Sequence, residues 1–112
     1  MKYILEGKIP IVESNVIKWG KWYNKDDNRR VARTQIENDE YVSTIFLGLD
    51  YSFGDGTPPL LFETMIFGGK YSNDCWRFST WEQAEVGHNR VVKGLMNGVD
   101  MNTEDFYDSV YA

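Results

Sequence analysis

Apolar positions recur along this chain in two different periods. Residues 3–9 are mostly apolar and run into Pro10, which predicts a short first strand ended by the proline. Ser14 then stands as a helix cap. Val16, Trp19 and Tyr23 follow at helical spacing with Trp22 beside them, which predicts one apolar face of a short helix. Residues 24–28 have turn composition and stop it. Alternation takes over at 30–36, strengthens over 41–51 and 60–67, and returns briefly at 75–78. Residues 37–40 read as a turn. Residues 52–59 read as a longer loop whose Pro58 and Pro59 block strand pairing, with Gly54, Asp55 and Gly56 as turn residues. Gly68 and Gly69 close the strand that ends at Phe67.

Period-3.6 patterning returns after Ser79. Ser79 and Glu82 have capping-box spacing, and Trp81, Ala84, His88, Val91, Val92 and Leu95 share one helical stripe. Gly98 is the expected stop. Gly87 and Gly94 inside the helix each weaken it by about 1 kcal/mol relative to Ala, so packing must compensate. The order β-α-β-β-β-β-α with short connections predicts an α+β fold: an antiparallel meander of about four strands, an N-terminal short helix and a capped C-terminal helix. Residues 1–96 read as the domain. Residues 97–112 read as a loosely held acidic tail in which Phe106, Tyr107, Val110 and Tyr111 offer a short docked helix.

Strand alternation assigns faces. Ile45, Leu47, Leu49 and Tyr51, with Leu60, Phe62 and Ile66, form an expected core face. The opposite face carries Thr44, Phe46, Gly48 and Asp50, with Leu61, Glu63, Met65 and Phe67. Pairing the strands through their loop sets Glu63 near Gly48 and diagonal to Asp50. Carboxylates among apolar groups need partners, so this mixed face is either an ordinary two-sided sheet or a groove for a ligand or partner.

The 112 residues fit one domain, and 42% hydrophobic with 26% charged residues is globular composition. No apolar run approaches the length of a membrane span, so no membrane partner is expected. The opening MKYILEGKIP lacks a signal-peptide core, and the single Cys75 fits a reducing compartment; both give a cytoplasmic expectation. The net charge of −5 is uneven. Residues 97–112 hold Asp100, Glu104, Asp105 and Asp108 and no base, whereas Lys18, Lys21, Lys25, Arg29, Arg30 and Arg33 cluster against only Asp26 and Asp27. That cluster is either a solvated surface or a contact for phosphate or an acidic protein. Trp19, Trp22 and Tyr23 interleave with its lysines, which is nucleic-acid-binding composition, but an isoelectric point near 4.8 argues against general duplex binding.

Catalytic signals are thin. His88, the only histidine, points from its helix into the core and reads first as a hydrogen-bonded packing residue; a partner in Asp50 or Glu63 would make an acid–base pair. Cys75 with His88 lacks any local sign of an activated thiol. One His and one Cys do not make a usual zinc set, and no metal or cofactor is expected. The run from Asp50 fails as a calcium loop because its glycine is one place late and its twelfth position is Leu61. No phosphate-binding glycine motif is present.

Four blocks carry a resemblance: KWGKW at 18–22, VSTIFLGLD at 42–50, LLFETMIFGG at 60–69, and STWE through Gly87-His88. They resemble a family of small uncharacterised proteins encoded mainly by tailed bacteriophages and prophages, over roughly residues 1–95. The resemblance implies expression in a bacterial host cytoplasm and an accessory role, and it transfers no catalytic residue. The leading expectation is therefore an accessory protein that binds a host or phage protein. Its expected contacts are Lys18, Lys21, Trp22, Arg29, Arg30, Arg33, Phe46, Met65 and Phe67, with the acidic tail as a further contact surface. The alternatives are a small-ligand or nucleotide-binding protein or minor enzyme using Asp50, Glu63 and His88, and a homo-oligomeric structural or virion component pairing through Phe46, Met65 and Phe67.

Overall fold

Gly7 decides how the chain begins. In the computed structural model, which describes residues 1–52 and 56–112, this glycine adopts φ +64°. A glycine with positive φ opens the tight turn of a hairpin, and the expected single strand is two: β1 (Tyr3–Glu6) and β2 (Ile9–Val12), with Glu6 opposite Ile9. Pro10 lies inside β2 opposite Leu5 rather than ending a strand, which a two-stranded ribbon tolerates because each strand has a free edge. The Trp19 indole fastens the ribbon to the rest of the fold, donating to the carbonyls of Tyr3 at 3.0 Å and Gly48 at 3.3 Å.

Helix α1 (Val16–Tyr23) is capped by Asn15, not Ser14: the Asn15 Oδ1 accepts from the amides of Ile17 and Lys18, both at 3.0 Å. Its inward side is Trp19, Trp22 and Tyr23. Val16, expected on that stripe, faces solvent with Ile17. Within the expected turn, 26–29 forms a one-turn helix α2 (Asp26–Arg29) with Asp26 and Asp27 at its favourable N-terminal end.

The sheet is the antiparallel meander that the alternation predicts: β3 (Arg30–Glu37), β4 (Glu40–Phe46), β5 (Phe62–Phe67) and β6 (Cys75–Phe78), in that order. The architecture is α+β. β5 buries Phe62, Thr64 and Ile66, but β4 buries Val42, Thr44 and Phe46, the reverse of the face expected for it. Thr44 explains the reversal. Its hydroxyl is satisfied inside the core, so a polar residue occupies a buried position that alternation alone gives to Ile45. β4 also ends at Phe46 and β5 starts at Phe62, both shorter than expected. Phe46 pairs with Phe62 and Ile45 with Glu63, so Glu63 is not beside Gly48.

Helix α3 (Trp81–Met96) crosses the core face. Its capping box is Thr80 with Gln83, one residue later than expected: the Thr80 hydroxyl accepts from the Gln83 amide at 3.1 Å, and the Gln83 side chain accepts from Thr80. Ala84, Gly87, His88, Val91 and Gly94 are its buried stripe. The glycines allow close approach: a Cβ at Gly87 would lie 2.2 Å from the Phe78 ring, and one at Gly94 2.6 Å from the Phe106 ring. The helix ends in a Schellman motif, with the Gly98 amide on the Leu95 carbonyl and the Val99 amide on that of Gly94.

Residues beyond 97 pack back onto this layer. Helix α4 (Glu104–Ser109) sets Phe106 and Tyr107 against Trp76, while Met101 and Val110 are buried in the common core. The Tyr111 hydroxyl accepts from the Arg77 amide, on the outer edge of β6, at 3.1 Å. The molecule measures 44 × 33 × 20 Å. Among the described residues α3 packs on the core face of the sheet against all four strands, and the opposite face, with Tyr41, Met65 and Phe67, is half-buried.

Candidate functional site

The residues expected to converge on a ligand occupy three different places. His88 is 2% exposed between β3 and β4. Its Nε2 lies 2.9 Å from the Thr34 hydroxyl and its Nδ1 2.8 Å from the Thr44 hydroxyl, which in turn meets the Thr64 hydroxyl at 2.6 Å. Burial lowers its pKa below the usual imidazole value. A neutral imidazole offers one donor and one acceptor, which two threonine hydroxyls satisfy without any carboxylate. His88 thus ties the helix to three strands.

Asp50 is exposed at the start of the 50–60 loop. Its Oδ1 accepts from the amides of Ser52 at 2.8 Å and Leu60 at 2.9 Å, and its Oδ2 from the Ser52 hydroxyl at 2.9 Å. The Ser52 amide foremost, with burial opposing, holds its carboxyl below the usual range, and the Ser52 hydroxyl and Leu60 amide add to this. Asp50 therefore staples the two ends of a loop. The turn expected at Gly54 and Asp55, and the middle of the rejected calcium pattern, lie outside the described residues. Glu63 stands on the sheet's outer face, paired with Arg77 at 3.0 Å. The described hydrogen bonds give Asp50, Glu63 and His88 separate neighbours. Cys75 pairs with Met65 on the outer face, away from His88, and burial first, then Glu63, pushes its thiol pKa up. Among the described residues no group of three or more His, Cys, Asp or Glu is placed to hold a metal ion, and no helix is long and apolar enough to cross a membrane.

The outer face of the sheet holds the more organised surface. The Arg33 guanidinium lies 4.0 Å from the centre of the Tyr41 ring, which stacks on Phe67 at 4.9 Å and 10°. This three-layer stack runs across β3, β4 and β5, with Met65 beside it on β5. Arg77 lies over the Tyr51 ring at 4.7 Å while holding Glu63. Helices α1, α3 and α4 meet the sheet through core-face residues, including Phe46, His88 and Trp76.

The other expected contacts divide. Lys18 and Lys21 are exposed on α1. Trp22 is half-buried with its edge against Phe46, and Phe46 is completely buried, so it leaves the contact surface. Arg29 is occupied by the Tyr23 ring and carbonyl and by Asp26, and Arg30 by Asp27. Arg33, Met65 and Phe67 share the outer face. Tyr41 and Arg77 join them without having been singled out, and follow from outer-face alternation once the β4 register is set by Thr44; Tyr51, expected on the core face, is instead exposed beneath the Arg77 guanidinium. Compared with protein families, curated proteins and solved structures, the chain matches none.

Proposed function

We propose that this chain is a small accessory binding protein that docks a protein partner on the outer face of its sheet. The observation that supports it is the Arg33–Tyr41–Phe67 stack on the face of the sheet opposite α3, with Arg33 exposed and both rings half-exposed. Arginine, tyrosine, phenylalanine and methionine are the residues that interfaces enrich, and a stacked platform loses little side-chain entropy on binding. Arg33 has no carboxylate within 4 Å among the described residues, so the fitting partner has an apolar patch bordered by an acid. The resemblance to phage-encoded proteins favours a host or phage protein in the bacterial cytoplasm as that partner.

The test is capture from bacterial lysate by tagged full-length protein, followed by native mass spectrometry. A defined protein bound by the wild type, lost with Met65→Lys and kept with the distant Val86→Asp supports the reading. Capture that survives Met65→Lys and Phe67→Ser overturns it. A species of twice 13.0 kDa, abolished by the same variants, replaces the foreign partner with a second copy.

A further inference from the structure

The exposed large apolar side chains gather towards the two ends of the chain. Among the described residues only Tyr51 and Val86 lie between Ile17 and Met96. Each end also carries one sign of charge. On α1 the exposed side begins with Val16 and Ile17, the latter 71% exposed, and continues through Lys18 and Lys21 to Lys25 just beyond the helix. These lysines are three and four residues apart, so they form one stripe. None has a carboxylate within 4 Å among the described residues.

The stripe lacks the rings that a nucleic acid would use. Trp19 stacks on Tyr23 at 4.5 Å and donates to the carbonyls of Tyr3 and Gly48, while Trp22 sets its edge against Phe46. The aromatics that interleave with the lysines in sequence therefore turn inward, and no free ring is left for a base to stack on. Aliphatic side chains beside unpaired lysines fit an acidic protein surface instead.

The chain carries such a surface on α4. Glu104, Asp105 and Asp108 are exposed on the side away from Trp76, with no cation within 4 Å among the described residues. Beside them Tyr107 and Tyr111 are 44% and 46% exposed. Within one copy the two helices are held apart, α1 on Phe46 and the ribbon and α4 on Trp76. We infer that the exposed side of α1 docks the acidic side of α4 of a second copy, lysines on carboxylates and Ile17 towards the tyrosines. The two patches differ, so copies pair reciprocally or extend head to tail. This contact is separate from the outer-face stack.

Sedimentation equilibrium of the full chain at about 100 μM and low salt reads the association. It should weaken about tenfold or more in about 0.5 M salt. One variant carries Lys21→Glu and Lys25→Glu, and another Asp105→Lys and Asp108→Lys; all four side chains are exposed, so the fold is kept. Each variant alone should lose the association, and their equimolar mixture should regain it, because each reversed patch meets its opposite. Ile17→Ser should weaken the wild-type contact about tenfold. Met65→Lys should leave it unchanged, which separates this contact from the outer face. A monomer at low salt, association that survives either reversal, or a mixture that stays monomeric would overturn the inference. So would binding of a single-stranded oligonucleotide that the lysine variant loses, which would make the stripe a nucleic-acid contact.

Discussion

Replacing Gly87 with alanine sets two opposed effects against each other. Helix propensity favours alanine by about 1 kcal/mol. Packing opposes it, because the new Cβ would lie 2.2 Å from Cζ and 2.7 Å from Cε1 of Phe78, against an ordinary carbon contact of about 3.5–4.0 Å. Either α3 lifts from the sheet by more than an ångström or the Phe78 ring tilts away. The ring is 4% exposed and has Tyr111 on its other side at 5.3 Å, so tilting disturbs the C-terminal packing as well. Overpacking of this kind costs about 1–3 kcal/mol or more, so Gly87→Ala should be a net destabilisation of about 1–2 kcal/mol. Gly20 supplies the control: it is also helical, and nothing lies within 4 Å of its added Cβ. Gly20→Ala should therefore stabilise by about 0.5–1 kcal/mol. Urea unfolding read by tryptophan fluorescence measures both, and thermal midpoints should move in opposite directions by a few degrees. If Gly87→Ala is stabilised as much as Gly20→Ala, the close packing of α3 on Phe78 is refuted.

Two further outcomes follow from the local chemistry. The folded-state pKa of His88 lies below that of the unfolded chain, so below about pH 6.5 the unfolded state binds the extra proton first and stability falls as pH drops, with a slope of up to about 1.4 kcal/mol per pH unit. Unfolding free energies measured from pH 7 downward should show this slope in the wild type and lose it in His88→Gln; an unchanged slope in that variant removes the assignment. Asn15→Ala should cost about 1 kcal/mol while Ser14→Ala costs a few tenths at most, because only the Asn15 side chain caps α1. Equal costs in matched denaturation curves would return the cap to Ser14.

Alternation made the four-stranded meander legible, and helical spacing made α3 legible, because both signals are local. The errors arose where two neighbours competed for one role. Ser14 and Asn15 are both capping residues, as are Ser79 and Thr80, and in each pair the second caps the helix that forms. The β4 face inverted on one residue, Thr44, whose buried hydroxyl depends on His88, 44 positions away. The ribbon was hidden because Pro10 resembles a strand terminator until Gly7 is known to turn. Of the surfaces, Met65 and Phe67 were readable from parity in β5.

The hydroxyl of Tyr111 on the Arg77 amide gives the sheet a direction of growth. At β6 a side chain occupies a position that the backbone of an added strand would need, so lateral extension there requires the C-terminal residues to let go. At the opposite margin, β3 offers eight residues guarded by shifted register near each end and by the charge of Arg33. That charge repels its counterpart on a second copy of the same strand but is screened by salt. Polymerisation under stress would therefore begin at β3, grow more readily in salt, and stop at a closed β6.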